Sequence, residues 1–406
     1  MSVWYSGATR DAIIDGPFDT RDAAVKFGRA NYSGSFFVAT GEATAVATVP
    51  VVANIERIAS REIIAASFAS RVKLDKLVER FEPDIRSAFQ AAMQDIVDRS
   101  IVAEITAAVE ANDVAGAFRA VGYTDAALRP LTSAIDRAFE TAGDTVGETF
   151  PKVLETPSGK AVFRFDVRNE RAENWLRDKS ATLVSRLTDE ARTNIRQVVT
   201  DGMERGINPR TIALDSVGRV DPATGNRTGG IVGLTTGQEG WVRSARNKLE
   251  NLDAAYFGME LRDKRFDATV EKAIADKKPL PPATVEKLVA RYKDNALKFR
   301  GEAIARTEAI QALNQAEYEA LKQATETGAI TAANVKRVWD SAGDRRVRLS
   351  HAAMDGQTVS LDDPFVSPLG SRLMFPGDIS LGAAAGEIVN CRCRVRTAVD
   401  WLADLD

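Results

Sequence analysis

Histidine and cysteine are nearly missing from this chain of 406 residues: His351 is the one histidine, and Cys391 and Cys393 are the two cysteines. Two cysteines one residue apart make no disulfide framework, so the sequence points to a reducing compartment. Long apolar runs are missing as well. The longest, 45–53 and 63–69, are far too short to span a bilayer, so no membrane partner is expected. The first seven residues lack a basic start followed by an apolar run, so no signal peptide is read there. Charge of one sign is also missing: 54 Lys and Arg stand against 57 Asp and Glu, a net charge of −3. That balance argues against a surface coated with nucleic acid and leaves local basic patches open.

Much of what is present is helical periodicity. Phe81, Ile85, Phe89, Ala92 and Ile96 recur every three or four residues and mark one apolar face. Pro83 falls inside that stripe and predicts a break at Glu82, with a new helix after it. Val102, Ile105 and Val109 continue the spacing up to a stop at Asn112-Asp113. Leu128, Leu131, Ile135 and Phe139 follow a cap at Gly122 to Asp125, and Leu183, Leu187, Ala191, Ile195 and Val199 form a further face. These stripes read as core. The chain is long enough for two or three domains with real cores.

Four segments are expected. Residues 1–50 read as a strand-helix-strand unit, with strands at Trp4-Tyr5 and Ser35 to Ala39, a turn at Asp15-Gly16-Pro17 and a helix from Asp19 to Phe27. Residues 51–217 form a helical body. Residues 218–299 hold a glycine-rich loop and charged helices, the latter broken at Pro279 to Pro282, with Ala283-Thr284 as the next cap. No Gly-Lys-Ser/Thr follows the loop, so it reads as a flexible connection rather than a phosphate cradle. Residues 300–406 begin with a helix and end in short strands at Val335 to Trp339, Thr358 to Leu361 and Val395 to Val399. The fold class is mainly α-helical and multi-domain, with a small N-terminal α/β unit and a C-terminal α+β module.

The chemistry-bearing residues collect in that last segment. His351, Cys391 and Cys393 could supply three zinc donors, with Asp344, Asp355 or Asp378 as a fourth. Cys-x-Cys is tighter than the usual two-residue gap. The plainer alternative is two small buried cysteines and a histidine in a structural hydrogen bond. A hydrolytic or nuclease site built from Glu308, Asp344 and His351 is a third reading. Cys393 as nucleophile is weaker, because His351 is its one imidazole base. Lys336, Arg337, Arg345, Arg346 and Arg348 cluster in sequence. Arg392, Arg394 and Arg396 alternate, and alternation on a strand would put them in one basic row. DNA phosphate could meet such a row, and internal pairing with nearby aspartates could equally absorb it.

The ordered string Arg306-x-Glu308, Asn314, Trp339, Asp344, Arg346, His351, Asp355-Gly356, Phe365, Gly370, Pro376-Gly377-Asp378 and Asn390-Cys391-Arg392-Cys393 resembles the C-terminal module of tailed-phage head morphogenesis proteins, the Mu F-like family of minor head proteins. The resemblance covers about 300 to 396. It implies a virion protein of the head, near the portal vertex, assembled in the host cytoplasm. Its implied partners are portal and capsid proteins and packaged double-stranded DNA, contacted without sequence preference. It implies no catalytic activity. The motif residues Arg306, Glu308, Asn314, Trp339, Asp355, Gly356, Pro376, Gly377, Asp378 and Asn390 are carried over as fold-defining positions. A structural zinc is the cofactor under consideration.

Overall fold

The computed structural model describes residues 3–9, 12–18, 37–41, 52–150, 154–156, 159–161 and 163–399, with side chains described over 75–150 and 163–399. Packing divides the chain into Met1–Arg61 and Glu62–Asp406.

In the first unit, β1 (Val3–Thr9) pairs antiparallel with both β2 (Ala12–Phe18) and β3 (Phe37–Gly41), in the order β2-β1-β3. Asp15-Gly16-Pro17, expected as a turn, lies within β2 instead. An edge strand can hold proline because its missing N–H is not required on the open side, and the register shifts along β1 absorb the irregularity. The helix expected from Asp19 to Phe27 lies outside the described residues.

The protein is mainly helical. α1 (Val52–Arg99) runs through Pro83 without the expected break. Phe81, Ile85, Phe89 and Ile96 are all buried along its one stripe. Burial of such side chains contributes about 2 kcal/mol each, enough to offset the roughly 3 kcal/mol that an interior proline costs. α2 (Val102–Glu110) and α3 (Val114–Val121) follow. Asp113 caps α3 by accepting from the Gly116 N–H at 2.7 Å. α4 (Asp125–Gly147) buries Leu128, Leu131, Ile135 and Phe139. After the hairpin β4 (Leu154–Thr156) and β5 (Gly159–Ala161), α5 (Glu170–Glu204) buries Leu183, Leu187, Ile195 and Val199. α6 (Pro209–Val217) starts on its proline, where the missing N–H costs nothing.

The glycine-rich stretch is packed, which corrects the expected flexible connection. β6 (Arg219–Val220) pairs with β7 (Arg227–Thr228), and Ile231, Val232 and Leu234 are buried. The Gly229 N–H donates to Asp294, and the Leu234 carbonyl accepts from Asn194. At Gly230 a Cβ would lie 2.7 Å from the carbonyl carbon of Val217, so the glycine serves close backbone approach rather than mobility.

α7 (Thr236–Glu250) carries a capping box between Thr235 and Gln238, and α8 (Asp267–Ala275) leads to α9 (Pro282–Glu326). α9 begins on Pro282 rather than after an Ala283-Thr284 cap. Its buried faces carry it into the shared core with α1, α4 and α5. β8 (Val335–Asp340), β9 (Thr358–Ser360), β10 (Phe365–Val366), β11 (Arg372–Leu373) and β12 (Arg394–Val399) build the C-terminal module, with α10 (Leu349–Ala353) and α11 (Ala385–Ile388) between them. Its main sheet runs β12-β8-β9, all antiparallel. A second core of Trp339, Met354, Phe365, Leu373, Phe375, Cys391, Cys393 and Val395 fills it. Among the described residues no helix is long and apolar enough to cross a membrane.

Candidate metal centre

α9 is the spine on which the module is built. Thr307, Gln311, Asn314 and Tyr318 are spaced by four, three and four, so they share one side of a helix. The Thr307 hydroxyl accepts from the Asn390 N–H at 3.0 Å. Asn314 Nδ2 donates to the Pro376 carbonyl at 2.8 Å. Tyr318 stacks at a tilt on Phe375, with ring centroids 6.1 Å apart. Gly377 passes directly over Gln311. Its φ is +91°, and a Cβ there would lie 2.9 Å from Gln311 Cγ, so both the backbone and the space demand glycine.

The other motif positions also close local structure. Asp378 accepts from the Met374 N–H at 2.7 Å and the Ser380 N–H at 2.8 Å. Asp355 accepts from the Ser341 N–H at 2.8 Å. Gly356, at φ +78°, returns its N–H to the Trp339 carbonyl at 2.9 Å. Arg306 reaches across to Glu82 at 2.9 Å. Glu308 is buried in α9 and meets Lys179 of α5 at 2.6 Å and Arg186 at 3.4 Å.

His351 sits in α10 with its ring edge-on to Trp339, centroids 5.2 Å apart. Asn390 adopts a left-handed φ of +57°, which asparagine tolerates, and turns the chain into Cys391-Arg392-Cys393. The result is a buried trio. His351 Nδ1 is 3.5 Å from Cys391 Sγ and 3.5 Å from Cys393 Sγ. All three donor atoms lie within 4.8 Å of one another, and this group could hold a metal ion. The two thiols are unequal. A hydrogen bond from Cys393 brings Cys391 down to about 7 against the opposing effect of burial, with Arg348 and Arg394 assisting. Cys393 is raised, because it donates that proton and is itself buried.

Asp344, considered as a fourth donor, is not in this group. Its carboxylate is taken by the Arg392 guanidinium and the Arg346 N–H, and both hold it well below the usual carboxylate range. Asp378 gives both oxygens, and Asp355 one, to the backbone bonds above, and neither is in the group. Nor do Glu308, Asp344 and His351 converge on a shared partner: Glu308 faces Lys179, Asp344 faces Arg392 and His351 faces the cysteines.

The basic row is broken up in the same way. Arg392 precedes β12 and pairs with Asp344; Arg394 is buried and pairs with Asp75 at 3.1 Å. Arg348 donates to the Val389 carbonyl. Arg396 is half-buried, and Arg337 is fully buried. Lys336, Arg345 and Arg346 remain exposed.

Residues 282–396 match the family model described as Phage Mu protein F like protein. The C-terminal module is Mu F-like. The match opens on the first residue of α9 and closes within β12, so it takes in the whole spine as well as the strands built on it. No curated protein and no solved structure matches the chain.

Thr307, Glu317, Arg337 and Glu387 of the Mu F-like module prove central in roles that sequence reasoning does not assign, Arg337 being read there only as one of a basic cluster. The first two lie on the seam spacing of α9, which is the signal that could have found them. Glu317 is buried and accepts from the Thr397 hydroxyl at 2.8 Å. Burial pushes its carboxyl up from 4.5 to about 7, against the pull of Thr397, Arg394 and Arg337. An acid raised in the folded state binds more protons folded than unfolded between these two values. Wild-type stability should therefore fall as pH rises from 4.5 to about 7, by about 3 kcal/mol in all, and level off above. Glu317→Gln is expected to remove this slope. Urea denaturation of both proteins at pH 5 and pH 8 checks it, and equal slopes in the two would refute it.

Proposed function

We propose that the chain is a phage head morphogenesis protein, a virion component assembled in the host cytoplasm and bound near the portal vertex to portal and capsid proteins. The match over 282–396 carries this reading. The motif geometry supports it, because the motif residues close the module, join it to α9 or, at Arg306 and Glu308, tie α9 to α1 and α5. That is the economy of a binding and assembly part, and we read the chain as acting without catalysis. The hydrolase alternative would need Glu308 and Asp344 released from Lys179 and Arg392.

Contact with packaged DNA is a further part of the proposal. Lys336, Arg345 and Arg346 are the exposed members of the expected basic set, so binding would be weak, independent of sequence and sensitive to salt.

Particles of the phage or prophage that encodes the chain provide the test. Purified heads are expected to contain it in few copies, and heads made without it to be fewer or defective. Normal heads formed in its absence, with the chain found only outside particles, would sink the reading.

A further inference from the structure

We infer that the module binds one zinc ion through His351 Nδ1, Cys391 Sγ and Cys393 Sγ, and that this ion fastens the start of β12 to α10. The inference stands apart from the head assignment. Tetrahedral zinc, with bonds of about 2.3 Å to sulfur and about 2.05 Å to nitrogen, requires a nitrogen–sulfur edge of about 3.5 Å. Both edges here are 3.5 Å.

A hydrogen bond between thiol and imidazole accounts for one such contact but poorly for two. Nδ1 carries either one lone pair or one proton. Two sulfurs at equal short distance from one ring nitrogen are what a shared ion imposes. The donor set selects the ion as well. Two thiolates and an imidazole suit zinc and do not suit magnesium or calcium, which take oxygen ligands. Charge closes too, since two thiolates neutralise one divalent ion and the buried site carries no net charge. All three ligands are 1–2 % exposed. No fourth histidine, cysteine or carboxylate joins the group among the described residues, so the fourth position falls to a small non-protein ligand such as water.

The surroundings fit a ligating histidine. Glu387 is buried, its carboxylate is held by the hydroxyls of Ser350, Ser367 and Ser371, with Ser367 donating to Oε1 at 2.9 Å, and it interacts electrostatically with His351. His351 Nε2 is buried without a partner. An imidazole bound to metal through Nδ1 carries its proton on Nε2, and a nearby carboxylate is the usual group to orient it. The ion would close a loop between ligands 40 positions apart, which explains how a step as short as Cys-Arg-Cys can anchor a strand to a distant helix.

The full chain, purified under reducing conditions without added metal, is expected to carry about one zinc per molecule by elemental mass spectrometry. A chelator should lower its melting temperature, and added zinc should restore it. The double variant Cys391→Ser with Cys393→Ser should fall to background zinc, whereas Asp344→Ala should keep its zinc. If the double variant does not fold, cobalt(II) added to stripped wild-type protein gives the answer: sulfur-to-cobalt charge-transfer absorption with tetrahedral d–d bands supports the site. A folded, reduced chain that takes up neither zinc nor cobalt overturns it, and so does unchanged zinc in the double serine variant. Absence of the chain from heads would leave this result untouched, so the two readings fail separately.

Discussion

Arg337→Ala is expected to destabilise the Mu F-like module by about 4 kcal/mol, the scale of stranding groups that were paired in a protein interior. Arg337 is 1 % exposed at the centre of β8. Its guanidinium donates to the carbonyls of Ser360, Asp363 and Met374, so one side chain ties the end of β9 to the chain on either side of the β10–β11 hairpin. It also lies 5.1 Å from the Tyr318 ring centre and 5.3 Å from that of Phe365. Alanine would leave the Asp363 and Met374 carbonyls without a donor, while that of Ser360 keeps the Asp363 N–H, and would open a space between two rings. Arg337→Lys keeps the charge and loses the fork, so it should fall between the two. Chemical denaturation followed by tryptophan fluorescence reads this directly, because Trp339 lies two residues away on the same face of β8. A loss under 1 kcal/mol for alanine would show that the carbonyls find water instead.

Glu308→Ala should cost about 3 kcal/mol by leaving Lys179 buried with its charge uncompensated. The Lys179 ammonium is 2.6 Å from Glu308 and also donates to Gln311, the residue over which Gly377 passes. Loss of the carboxylate should therefore loosen the join between α5 and α9 under the module. Replacing both partners with apolar residues, Lys179→Met with Glu308→Leu, should recover much of the loss, since it removes the desolvated charges together. A double-mutant cycle gives the coupling. If Glu308→Ala left stability unchanged and abolished a hydrolytic activity, the assembly role would give way to the enzymatic one.

Both residues show where sequence reading stops. Arg337 stood in a run of basic residues and read as part of an exposed patch. Strand parity held the opposite message, because Val335, Arg337 and Trp339 share one face of β8 and all three are buried. The same holds for Arg394, which reads as one of an alternating row and is drawn inward by Asp75, a residue far away in sequence. Pro83 shows the converse: its local rule was sound, yet burial of the stripe around it outweighed the rule.

The sequence by itself determined the helical body, the short strands at the C-terminus and the family of the module. Apolar periodicity is a local property, and the motif string is written in order along the chain. Only the tertiary structure decided which charges are partnered, that Asp344 belongs to Arg392, and that Thr307, Asn314 and Glu317 form the seam that receives the module. It also brought His351 to the two cysteines. Those donors meet only after β8, α10 and β12 have been laid against α9, and spacing along the chain carries no measure of that distance.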